Sequence, residues 1–150
     1  MIERPRASSL QALHRMQAAR RRDTAPEVAL RRILYSKGMR FRVDYSVIRG
    51  LRRRADIVFT KAKIAVFVDG CFWHGCPTHG TFPKANATWW AEKLRANRRR
   101  DADTTRRLSK EGWKVLRIWE HESASDAAAR IIAAIRACRT PRVRLVTQRR

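Results

Sequence analysis

Two cysteines and two histidines fall within nine residues, in the run Asp69-Gly70-Cys71-Phe72-Trp73-His74-Gly75-Cys76-Pro77-Thr78-His79-Gly80. The spacing Cys71-x4-Cys76-x2-His79 offers three metal ligands from one loop, and Gly75, Pro77 and Gly80 let that loop fold back on itself. His121 is the one distant histidine inside the folded part of the chain and completes a tetrahedral set. A closed, structural Zn²⁺ held by Cys71, Cys76, His79 and His121 is therefore expected; the alternative is two buried free thiols with surface histidines. Three cysteines of this kind do not make a secreted disulfide framework and fit a reducing compartment. Cys138 ends an Ala/Ile-rich run and reads as an ordinary thiol.

The loop must be delivered by a strand. Lys63–Asp69 and Ala55–Phe59 are β-rich runs, expected to lie side by side and antiparallel, and Phe41–Tyr45 alternates like a half-buried strand. Thr24 is placed to cap a helix that has Pro26 in its first turn and stops at Gly38. A long helix fits 87–110 and ends at Glu111-Gly112, Trp113–Trp119 is a further strand, and Ser125 is placed to cap a last helix through 138. The expected fold is α/β: a mixed central sheet flanked by helices. The domain spans 24–138, between a basic N-terminal arm at 1–23 and a basic tail at 139–150. The arm is read as mobile or ordered by a partner.

Charge narrows the partner. Among 150 residues, 28 Arg and 7 Lys face 13 acids, for a net charge of +22. With 44% hydrophobic residues the chain still folds, so this charge points to a polyanion rather than to disorder, and the Arg bias suits phosphate and base-edge contacts. The longest strongly apolar run, Ile64–Val68, is far too short to span a membrane, and the N-terminus has no apolar signal core.

In so basic a chain the acids are informative. Asp56 lies inside an apolar strand, Asp69 ends the next one, Asp101 shares a helical stripe with Trp90, Leu94, Asn97 and Leu108, and Glu27 shares one with Leu30 and Leu34. Buried carboxylates need a cation, either Arg or Mg²⁺. Acids on neighbouring strands suit a metal-dependent phosphodiesterase. His74, with no zinc duty, is a candidate general base or acid; the milder reading is an imidazole that contacts phosphate. Phe72-Trp73 and Trp89-Trp90 flank the loop as aromatic pairs able to unstack bases, with core packing expected for one of each pair and for Trp113 and Trp119.

With these residues in view the chain resembles the very short patch repair (Vsr) endonucleases. The resemblance is carried by Arg22–Glu27, Ala55–Phe59, Val66–Pro77, Asn97–Asp101 and Gly112–Glu120, and covers roughly 20–122. It departs from some members at Ala55 (proline elsewhere), Asp69 (histidine) and His121 (cysteine). The resemblance implies a restriction-endonuclease-like core with a structural zinc. It implies Mg²⁺-dependent nicking of one strand of double-stranded DNA beside a T:G mismatch left by deamination of 5-methylcytosine. By motif position Asp56 would hold Mg²⁺, His74 and Asp101 would form the catalytic pair, Glu27 would be the acid of the N-terminal helix, and Phe72, Trp73 and Trp90 would wedge into DNA. Asp69 is a further candidate beside Asp56. A monomer in the bacterial cytoplasm, at the nucleoid, is expected, with functional links to a cytosine-5 DNA methyltransferase and mismatch-repair proteins. Two rivals remain open: a non-catalytic zinc-stabilised DNA-binding module, and a restriction-type nuclease without mismatch preference.

Overall fold

The computed structural model describes residues 4–19 and 22–139. Eight elements follow in order: α1 (Leu10–Ala18), α2 (Ala25–Ser36), β1 (Arg42–Tyr45), β2 (Ala55–Phe59), β3 (Ile64–Asp69), α3 (Ala87–Lys110), β4 (Lys114–Trp119) and α4 (Ala124–Arg139). The sheet has the order β1-β2-β3-β4; the first three strands are antiparallel and β4 runs parallel to β3, with α3 as the crossover. The expected mixed α/β core, with β2 and β3 as antiparallel neighbours, is what forms.

Alternation along the strands sorts side chains between two layers. Ile57, Phe59, Ile64, Val66 and Ile118 pack with Leu30 and Leu34 of α2 and with Ile131 and Ile135 of α4. The intervening residues Val58 and Ala65 pack with Leu108 of α3, and Phe67, Trp113 and Val115 border that cluster. α3 is long and largely charged, but one stripe of Trp90, Leu94, Asn97, Thr104 and Leu108 is buried, as the 3.6-residue period demands. Gly112 (φ +80°) takes the left-handed turn that closes α3, where the Trp113 N–H reaches back to the Leu108 carbonyl at 3.0 Å.

Three local expectations change or gain detail. The arm, read as mobile or ordered by a partner, contains a helix: Ser9 accepts the Ala12 N–H at 3.1 Å and caps α1. The cap of α4 is Ser123, whose hydroxyl accepts the Asp126 N–H at 3.0 Å; Ser125 lies inside the helix. Thr24 occupies the N-cap position of α2, but its hydroxyl donates to Glu27 Oε1 at 2.9 Å instead of accepting a backbone N–H. The C-terminal tail, apart from Arg139, lies outside the described residues. Among those described, no helix is long and apolar enough to cross a membrane.

Candidate active site and metal centre

The β2–β3 ladder runs from Phe59↔Ile64 to Ile57↔Val66. Beyond it the Asp56 carboxylate takes the Val68 N–H at 2.7 Å, so a side chain replaces a backbone carbonyl where the strands part. Burial pushes the Asp56 carboxyl up to about 6; the Val68 N–H opposes this, while the nearby carboxylates of Glu27 and Asp69 push the same way. The Arg pairing weighed for these acids occurs at Asp69 and Glu27 and, at 3.7 Å from Arg117, at Asp101. Arg117 Nη1 donates to both oxygens of Asp69, at 2.8 and 2.9 Å. Glu27 Oε2 accepts from Arg31 at 3.0 Å and from the Asp23 N–H at 2.9 Å, which ties down the start of α2. Among the described residues Asp56 has no ion-pair partner, the condition a divalent cation relieves.

His74 sits on the loop after β3, and α3 clamps that loop at three consecutive residues. Asn97 Nδ2 donates to the Trp73 carbonyl at 2.8 Å, Asp101 Oδ2 lies 2.6 Å from His74 Nδ1, and Arg98 Nη2 donates to the Gly75 carbonyl at 3.2 Å. Gly75 has φ +65°, a backbone conformation that favours glycine, and the Arg98 guanidinium packs over it. Burial disfavours the His74 imidazolium, but the Asp101 hydrogen bond and the charges of Asp69 and Asp101 outweigh it and raise the His74 pKa. Burial acts against the Asp101 carboxylate in turn, and His74 overcomes it and lowers that pKa. A carboxylate on Nδ1 leaves Nε2 as the nitrogen for chemistry.

His74 borders a cleft of about 640 Å³ that Glu27, Trp73, Trp90, Asn97 and Arg100 also line. The predicted wedge residues come together: ring centroids are 5.1 Å apart for Phe72–Trp73, 5.2 Å for Phe72–Trp90 and 5.9 Å for Trp73–Trp90. They are not equivalent. Phe72 and Trp73 are half-buried, whereas Trp90 is buried and supports them from α3. Trp113 joins the core as expected. Trp119 does not: it is half-buried and stacks on His121 at 6.4 Å, beside the Cys/His cluster.

The Cys71, Cys76, His79 and His121 ligand atoms lie within 4.8 Å of one another. Cys71 Sγ is 3.1 Å and Cys76 Sγ 3.7 Å from His121 Nδ1. Burial and the adjacent Cys76 push the Cys71 thiol up, whereas the N–H groups of His79 and Thr78 overcome burial and bring Cys76 down. The two-sulfur, two-nitrogen donor set fits a closed tetrahedral cation. The Cys71 N–H donates to Glu120 Oε1 at 2.7 Å, so the Glu120-His121 pair holds the loop by backbone and by ligand together.

Comparison with known proteins follows this geometry. A family model described as DNA mismatch endonuclease Vsr matches residues 9–79. A type II nicking enzyme, V.NaeI from Lentzea aerocolonigenes, is 49% identical over 120 residues, covering 78% of this chain and 72% of that protein. The chain belongs to the Vsr endonuclease family. The DNA mismatch endonuclease Vsr of Escherichia coli is 36% identical over 109 residues, 70% of this chain and 66% of that protein. The catalytic domain of the homing endonuclease I-Bth0305I shares the fold, with a TM-score of 0.53 at 18% identity, over 79% of this chain and all (100%) of that domain.

Membership makes this a DNA endonuclease, and the +22 charge is then that of a DNA-binding protein. Sequence reasoning missed three residues of this Vsr site. Arg117, Arg98 and Glu120 look like generic charges on a basic protein, and only their contacts with Asp69, Gly75 and Cys71 single them out. Asn97 was legible as part of an apolar stripe and of a family motif, but without a role; its buried amide is the hint, because such a group needs a partner.

Proposed function

We propose that this chain nicks one strand of duplex DNA at T:G mismatches in a Mg²⁺-dependent reaction, starting very short patch repair of deaminated 5-methylcytosine. The observation that carries the reading is the conjunction of an Asp56 carboxylate without an ion-pair partner and a His74 that Asp101 orients and that borders an aromatic-lined cleft. Asp56 is the residue suited to hold Mg²⁺, with Glu27 and Asp69 adding negative potential. Bound there, Mg²⁺ supplies charge neutralisation at the scissile phosphate and acidifies water. His74 Nε2 accepts a proton from the attacking water, and Asp101 stabilises the imidazolium that results. Phe72 and Trp73, supported by Trp90, enter the base stack where unstacking is cheapest, at a mispair. The relatives' names, a mismatch endonuclease and nicking enzymes, support both nicking and mismatch choice.

Zn²⁺ on Cys71, Cys76, His79 and His121 fixes the loop that carries His74. The arm at 1–23 and the tail at 139–150 add phosphate contacts. The protein works as a monomer in the bacterial cytoplasm, at the nucleoid, beside a cytosine-5 methyltransferase and mismatch-repair proteins. The test is an end-labelled duplex assay comparing T:G with C:G in several sequence contexts, with and without Mg²⁺. Equal cleavage of both duplexes favours a restriction-type nuclease; binding with no cleavage at any Mg²⁺ concentration favours a DNA-binding module.

A further inference from the structure

Arg117 stands on β4 opposite Phe67 of β3, with its side chain between the sheet and α3. Its guanidinium is engaged on every side. Nη1 donates to Asp69 Oδ1 at 2.8 Å and Oδ2 at 2.9 Å. Nη2 donates to the Asp101 carbonyl at 3.2 Å and lies 3.7 Å from the Asp101 carboxylate. Nε reaches Thr105 Oγ1 at 3.4 Å, and the plane covers the Phe67 ring at 4.7 Å. A planar fork fixed this way cannot be copied by lysine.

Both acids it engages face the same imidazole. Asp101 Oδ2 is 2.6 Å from His74 Nδ1, and Asp69 Oδ1 is 3.7 Å from the same atom. Two carboxylates thus compete for one N–H. The Asp69 side chain is only 7% exposed, and among the described residues its ion-pair partners are Arg117 and His74. Without Arg117 its buried charge would turn to the histidine.

We propose that Arg117 is a positioning residue of the nicking site. By claiming both oxygens of Asp69 it leaves Asp101, at 2.6 Å against 3.7 Å, as the nearer partner of His74 Nδ1, which fixes the orientation of the ring and of Nε2. The consequence for catalysis rests on the nicking reading above; the consequence for the imidazole does not.

The experiment uses full-length, zinc-loaded protein with Arg117→Leu, Arg117→Lys and the double variant Asp69→Asn/Arg117→Leu. Single-turnover nicking at saturating T:G duplex is expected to fall about 10²-fold in Arg117→Leu, the scale of a misoriented general base, while duplex Kd changes by no more than about threefold. Arg117→Lys is expected to fall between. Removing the competing charge in the double variant is expected to restore at least about tenfold over Arg117→Leu. A ¹H–¹⁵N spectrum of the His74 ring reads the Nδ1–H hydrogen bond directly: one Nδ1–H resonance in the wild type, displaced in Arg117→Leu as the bond passes from Asp101 to Asp69, and moved back towards the wild-type position in the double variant. A folded Arg117→Leu with wild-type rate and spectrum overturns the proposal, as does a double variant no faster than the single. If Arg117→Leu fails to fold, the rate and spectrum of Arg117→Lys decide, and a wild-type result in both overturns it. If the wild type nicks no duplex while the spectra change as described, the positioning role stands and the nicking reading falls.

Discussion

Replacing Asp56 by Asn separates a metal site from a structural acid. Burial, the Glu27 carboxylate and the Asp69 carboxylate hold the folded-state pKa near 6, against an ordinary value of 3.8. The folded state therefore binds this proton more tightly than the unfolded chain does. Stability is full below pH 4 and is lost as pH rises through about 6. Roughly two pKa units correspond to about 3 kcal/mol, the cost of an ionised Asp56 at pH 8 in the absence of Mg²⁺. Asn carries no such cost, and its amide oxygen still accepts the Val68 N–H that Asp56 Oδ2 takes. In Mg²⁺-free buffer that leaves zinc in place, Asp56→Asn is thus expected to melt higher than wild type at pH 8. The gain is about 10 °C at roughly 3–4 °C per kcal/mol for a domain of this size, and it shrinks towards zero only below about pH 4. Adding Mg²⁺ to about 100 Kd raises the wild type by about 2.7 kcal/mol and leaves the variant unmoved. Nicking of T:G duplex falls about 10³-fold or more in the variant, because the anchor for water activation and phosphate neutralisation is gone. Calorimetry across pH, with zinc content and nicking rate on the same samples, is the assay. A wild type that melts above Asp56→Asn at pH 8 without Mg²⁺, or a folded variant that nicks near the wild-type rate, refutes the reasoning.

Metal analysis of purified protein is expected to return one zinc per chain, and Cys71→Ser is expected to cost several kcal/mol of stability, on the order of a lost structural ligand; a zinc-free protein with an unchanged melt removes the structural assignment. Duplex affinity is expected to fall about 10³–10⁵-fold between roughly 50 and 200 mM salt for about 6–10 phosphate contacts, and deleting residues 1–20 weakens binding further without unfolding the core; a flat salt dependence, read by fluorescence anisotropy, contradicts this. Trp73→Ala is expected to reduce the T:G over C:G preference more than duplex affinity, since unstacking costs a few kcal/mol per step and least at a mispair; an unchanged preference with a lowered melting temperature assigns Trp73 to packing.

The parts of this molecule that were legible in its sequence are those written in local periods and ligand chemistry. Cys71, Cys76 and His79 share one loop, so their spacing alone predicts the cluster, and a lone distant His121 completes it. The stripe from Trp90 to Leu108 and the β2–β3 hairpin repeat with the periods of a helix and a strand, which any chain must obey to bury one face. The tertiary structure decided what those patterns leave free. The choice of Ser123 over Ser125 as the α4 cap turns on where β4 ends and the chain reverses, and the arm helix, though amphipathic, is short and buries none of its residues. The state of the acids was decided there most completely. Asp56, Asp69 and Asp101 look alike in sequence, yet one lacks an ion-pair partner, one is forked by Arg117 and one orients His74. Those differences arise because parallel pairing of β3 with β4 brings Arg117 beside Asp69, 48 residues away, while α3 lays Asp101 against the loop. A carboxylate's partner is a property of three-dimensional proximity, and no residue type or spacing along the chain encodes it.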